Sequence, residues 1–163
     1  MTTTPRRRGT WMIVTSFILA FMLTLVPLPE WARAFRPEWC ALVLIYWCMA
    51  LPHRVGVGTA WLVGLLLDVM TGTLLGQHAL GLSVIAYLTL LLHQRIRVFP
   101  VRQQALTVLV MLLLYQLLLL WVRGVTGHPP SSWTYWTASL SSTVLWPWVF
   151  ILLREARRRY KVA

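Results

Sequence analysis

Acidic side chains are almost missing from this chain: four Asp and Glu stand among 163 residues, against fifteen Lys and Arg. Charge of either sign is scarce, at 12% of residues, about half the share found in ordinary soluble domains. With 58% hydrophobic residues and a mean hydropathy of +0.68, there is too little polar sequence to cover a water-facing surface. Several apolar runs approach spanning length, so the composition indicates a polytopic membrane protein with a single domain. Cysteine is scarce as well. Cys40 and Cys48 share one apolar segment and form no C-x-x-C pair, so they indicate buried structural thiols and no metal or redox motif. His53, His78 and His93 fall at the ends of different runs, on different sides of the membrane, and do not make one metal site. There is no phosphate-binding glycine loop with a lysine. Nor is there a paired intramembrane carboxylate or a nucleophile with a base beside it. These absences argue against an enzyme, and no cofactor is implied.

What is abundant is basic charge, tryptophan and leucine. The net charge of +11 is not a nucleic-acid signal, because no basic face is interleaved with stacking aromatics. Most Lys and Arg residues stand in short clusters beside apolar runs, where they set topology and meet anionic lipid headgroups. Several of the ten tryptophans sit at the ends of runs, as interfacial anchors do.

Taken in order, residues 1–10 form a polar tail with Arg6, Arg7 and Arg8. Six apolar spans follow at about 11–27, 38–51, 55–75, 79–92, 105–122 and 133–153, and 154–163 is a basic tail. The first run exceeds a usual signal-peptide core, and charges crowd the Ala32-Arg33-Ala34 pattern, so an uncleaved helix is expected. The second span is short, reaching only about 21 Å as a helix. Pro52, His53 and Arg54 form a tight turn, and Arg95, Arg97 and Arg102 lie in a basic loop. Counted on alternate sides, Lys and Arg divide twelve to three. That asymmetry puts both termini in the cytoplasm and requires an even number of spans. Pro147, between Trp146 and Trp148, is expected to kink the last helix, with the tryptophans shaping or anchoring it.

The third span holds Asp68, the one carboxylate inside an apolar run; Glu30, Glu38 and Glu155 lie at run ends. An aspartate near mid-bilayer costs on the order of 3 kcal/mol, so it faces protein or a wet cavity. Gly56, Ala60, Gly64, Asp68, Gly72 and Gly76 recur every four residues. On a helix this spacing makes a groove of small residues that admits a close neighbour. Two readings stand for the groove: an intramolecular packing seam, or a site for a partner or ligand. Gln116, alone in the fifth span, reads as an interhelical hydrogen bond.

The order of several short motifs resembles a known family. They are Arg36-Pro37 with Trp39, then Leu44-Ile45-Tyr46-Trp47, then Ala50-Leu51-Pro52-His53-Arg54-Val55. Val57-Gly58-Thr59, Gly64, Leu67-Asp68, Gly72 and Leu75-Gly76 follow, then Ile85-Ala86-Tyr87-Leu88 and Leu145-Trp146-Pro147-Trp148 before the basic tail. With these residues the chain resembles the rod shape-determining protein MreD family of Gram-negative bacteria, nearly end to end, the fifth span matching least. The resemblance implies an inner-membrane subunit of the cell-elongation machinery without catalytic activity. Its implied partners are the single-span periplasmic protein MreC, the actin-like MreB, the RodA glycosyltransferase and a class B penicillin-binding protein, penicillin-binding protein 2. The implied fold is an all-α integral membrane bundle of six transmembrane helices. It is similar to the substrate-binding membrane subunits of energy-coupling-factor transporters, a likeness of fold that does not establish transport. A scaffold and a small-molecule or lipid transport subunit are the two functional expectations. In either case the groove around Gly64 and Asp68 packs a helix, the chain's own or the MreC anchor. The turn at Pro52-His53-Arg54 and the loop with Arg95, Arg97 and Arg102 face the cytoplasm, where MreB or membrane lipid would meet them.

Overall fold

A computed structural model describes residues 10–25, 39–51, 55–71, 76–98, 100–125 and 137–159. Among the described residues there are six helices. They are α1 (Thr10–Leu25), α2 (Trp39–Ala50), α3 (Val57–Thr71), α4 (Gln77–Val98), α5 (Val101–Val125) and α6 (Thr137–Arg159). Within α4, Gln77–Ile96 is long and apolar enough to cross a membrane, as is the whole of α5, and Trp11–Leu25, Trp39–Ala50 and Val57–Met70 are shorter apolar helical stretches.

The short helix α2 is the hub. Every residue from Cys40 to Ala50 is buried, and α1, α4, α6 and, more lightly, α5 pack around it. A helix apolar on all sides has no face to offer water, so it takes the centre. Its aromatic side chains fill the core edge to face: the Tyr46 ring lies 5.2 Å from Trp47 and 5.8 Å from Phe150 of α6. One polar contact locks α2 to α1. The Trp47 indole N–H donates to Ser16 Oγ at 2.8 Å, and Ser16 Oγ donates to the Ile13 carbonyl at 2.7 Å. A buried indole needs such an acceptor. Every helix other than α2 turns large apolar side chains outward. A soluble protein of this size does not expose so much apolar surface, whereas hydrocarbon accepts it.

The helix ends depart from the sequence expectation in one place that matters. The sequence suggests a loop for Arg95, Arg97 and Arg102, but α4 continues to Val98 and α5 starts at Val101. Arg95 and Arg97 are therefore on the last turns of α4, and Arg102 is on the first turn of α5. The change from apolar to basic sequence marks the edge of the hydrocarbon, not the end of the helix. Arginine is a good helix former, and cations near a C-terminus complement the helix dipole. What separates the helices is Pro100, whose carbonyl accepts the Gln104 N–H at 3.0 Å to open α5. From that first turn the buried Gln104 side chain reaches back, and its Nε2 donates to the Ile96 carbonyl at 3.0 Å. It satisfies one of the carbonyls left open at the end of α4.

Candidate functional site

The helices α3 and α4 form an antiparallel hairpin, and the spaced small residues of α3 lie along it. Near one end, a methyl on Gly56 would meet Leu90 Cδ1 at 3.6 Å. Ala60 is fully buried. At Gly64 the two backbones touch. A Cβ there would run into the Ala79 Cα and stand 2.5 Å from the Ala79 nitrogen and 2.7 Å from the His78 carbonyl carbon. A glycine is the residue that allows backbone to approach so near.

One turn further along α3, Asp68 is 1% exposed. Its carboxylate receives the start of α4. The Gly76 N–H donates to Oδ2 at 2.8 Å, and the His78 N–H donates to Oδ1 at 2.9 Å. The His78 ring joins them, with Nδ1 2.6 Å from Oδ1. With the carboxylate accepting, Nδ1 carries the proton and donates. The first helical bond of α4 runs from the Leu80 N–H to the Gly76 carbonyl at 2.9 Å, which makes Gly76 the N-cap residue. The four leading N–H groups of a helix have no partners within it. In hydrocarbon each such orphan costs several kcal/mol. Asp68 thus caps the next helix from outside it, and its negative charge lies at the positive end of that helix's dipole.

On its other side His78 is 6.4 Å from the Tyr115 ring, centroid to centroid. Gly81, one turn into α4, presses on the same tyrosine: a Cβ there would stand 2.7 Å from two Tyr115 ring carbons. So α3, α4 and α5 meet at one polar knot buried among apolar side chains.

The four-residue spacing is not one helical face throughout, as the sequence suggests. The described part of α3 ends at Thr71, and Gly76 is the N-cap of α4 with φ of +100°, a conformation that favours glycine. Gly76 reaches Asp68 as the N-cap of α4 and not as part of the α3 stripe. Gly72 lies outside the described residues, as do Pro52, His53 and Arg54. Arg95 and Arg102 are exposed at the opposite end of the α3–α4 hairpin, far from the knot, and the side chain of Arg97 is outside the described residues. Trp146 is fully buried, whereas Trp148 is 69% exposed. Pro147 stands within α6, which runs on through it. His78 and Tyr115 are not among the site residues that the sequence suggests. The signal for His78 was present: a buried acid, a glycine suited to an N-cap and a histidine two residues later.

Chemically the knot is a holding device. Backbone donors take both oxygens of Asp68, and among the described residues no group of three metal-ligating side chains occurs. Among the described residues, Cys40 and Cys48 are buried and form no disulfide. The geometry defines a helical membrane protein whose buried charge positions helices. The chain matches the family described as rod shape-determining protein MreD over residues 5–156. It is also 35% identical over 150 residues to the rod shape-determining protein MreD of Haemophilus influenzae, covering 92% of this chain and 93% of that one. The chain belongs to the MreD family, a family of shape-determining membrane proteins. No solved structure matches it.

Proposed function

We propose that this chain is a non-enzymatic, multi-pass scaffold of the inner membrane that binds MreC and supports rod shape and lateral peptidoglycan synthesis. In this reading all six helices span or enter the bilayer and both termini are cytoplasmic, a topology that the twelve-to-three division of basic residues supports. The larger assembly holds MreB, RodA and penicillin-binding protein 2. The exposed Arg95 and Arg102 face the cytoplasm, toward MreB or anionic lipid. The observation that favours a scaffold is the state of Asp68. The one carboxylate within the spans is engaged by the Gly76 and His78 amides and the His78 ring, which suits a structural anion better than a reacting one. Membership of a shape-determining family supports the same reading.

The test is depletion followed by complementation, with affinity purification from membranes. Loss of rod shape on depletion, and recovery of MreC with the tagged chain, are the expected results. A preparation without MreC that retains a small molecule, or that carries one into liposomes, would replace the scaffold with the transport-subunit alternative. A reporter at the C-terminus that registers outside the cytoplasm would overturn the topology.

A further inference from the structure

The groove around Gly64 is filled by the chain's own α4, so a partner helix has to use another face. One outward face carries a polar group in a place where lipid does not satisfy it. Tyr87 lies on α4 ten positions from Gln77 and ten from Arg97, about 15 Å from each at the helical rise. That is the middle of a hydrocarbon layer about 30 Å thick. Tyr87 is 56% exposed, and among the described residues its hydroxyl has no hydrogen-bond partner. A hydroxyl turned toward acyl chains loses its hydration with nothing in return.

The face around Tyr87 has a regular spacing. Leu80, Val84, Tyr87, Leu91 and Gln94 follow one another at alternate intervals of four and three. All but the half-buried Val84 are exposed, Leu91 by 62%. A 3.5-residue repeat keeps a line of side chains against a second helix crossing at a shallow angle. The line is apolar except at mid-depth and at its cytoplasmic end.

We propose that this face of α4 is the seam for the transmembrane helix of a partner chain, with the Tyr87 hydroxyl bonded to a short polar side chain near the bilayer centre. The proposal rests on the scaffold reading above and gives it an interface. A second copy of this chain fits less well. Two-fold pairing within one membrane would set Tyr87 against Tyr87 at the same depth, two rings at one level between helices 8–10 Å apart. A serine, threonine or asparagine opposite the ring leaves room for it and supplies the missing bond.

The test uses the full chain in native membranes with MreC co-expressed. A photoreactive benzoyl-phenylalanine replaces Tyr87 or Leu91, and Val144 on the outer face of α6 serves as the control position. Adducts with MreC from positions 87 and 91, and none from 144, are expected. Tyr87→Phe is expected to lower MreC recovery roughly threefold to tenfold, the worth of one interhelical hydrogen bond, with the level of the chain in membranes unchanged. The seam is overturned if MreC co-purifies with the wild-type chain but crosslinks only from position 144 or from none of the three. It is overturned equally if Tyr87→Phe leaves recovery unchanged, or if the adducts have twice the mass of this chain. Wild-type membranes that yield no MreC at all would remove the scaffold reading itself, and the seam with it.

Discussion

Gly64 and Ala79 are in backbone contact: the nitrogen of Ala79 would lie 2.5 Å from any Cβ added to Gly64. The neighbouring atoms are main chain of a helix that Asp68 also holds, so they do not swing aside as a flexible side chain would. Gly64→Ala is therefore expected to push α3 and α4 apart and to destabilise the hairpin by about 1–3 kcal/mol. Gly58→Ala is the paired control, since nothing lies within 4 Å of its Cβ. At an unstrained helical position that change is expected to be neutral or to stabilise by up to about 1 kcal/mol. Thermal unfolding in detergent, read beside steady-state membrane levels, distinguishes the two. Equal behaviour would mean the close approach is not there.

Asp68→Asn and Asp68→Leu should separate acceptor from charge. Asparagine keeps one oxygen to accept an N–H from Gly76 or His78, and is expected to cost about 1–2 kcal/mol. Leucine removes both acceptors, leaves two amide donors and an imidazole unsatisfied in an apolar setting, and is expected to cost about 3–5 kcal/mol. The measurement is again thermal stability and membrane level, with cell shape as the functional readout. If both variants retain wild-type level and shape, Asp68 is neither a cap nor a functional group.

These two residues also show what the sequence makes legible. The apolar runs locate the helices, because spanning or core helices need unbroken hydrophobic sequence and nothing else in the chain competes with them. The small-residue spacing picks out the α3 face that packs, since only small side chains let backbones touch. It does not reveal where that face ends. Gly76 continues the same interval although it is the N-cap of α4, and a periodic pattern carries no mark of where one helix gives way to the next. The identity of the packed neighbour was also out of reach. Asp68 finds its donors at Gly76 and His78, at the start of α4, and that depends on α3 and α4 packing together. The arginines near residue 95 misled for a different reason: charge reports the membrane boundary, while helix termination here depends on Pro100.

Among the described residues, Ser16 accepts the indole N–H of Trp47, a fully buried side chain in the last turn of α2. Ser16→Ala is expected to leave that N–H unsatisfied and to cost about 1–3 kcal/mol. Pairing it with Trp47→Phe tests the cause. The donor is then gone, so Ser16→Ala in the Trp47→Phe background should cost much less than in the wild type. Additive effects in this double-mutant cycle, measured by thermal unfolding, would show that the bond contributes nothing.

Trp146 and Trp148 stand on either side of Pro147 and are expected to answer mutation in opposite ways. The Trp146 side chain is fully buried, 6.0 Å from Phe150 between ring centroids, and among the described residues its indole N–H has no hydrogen-bond partner. Trp146→Ala opens a cavity the size of an indole and is expected to cost about 3–5 kcal/mol. Trp146→Phe removes the unsatisfied donor along with part of the ring, two effects of opposite sign, and is expected to lie well below the alanine cost. Trp148 faces outward, so Trp148→Ala is expected to leave unfolding nearly unchanged while weakening any hold of α6 on its surroundings. Unfolding curves for the three variants order them if the burial is right: Trp146→Ala lowest, Trp146→Phe intermediate, Trp148→Ala near wild type. A Trp148→Ala variant that melts as early as Trp146→Ala would show that the outward face of α6 is covered by protein rather than by lipid.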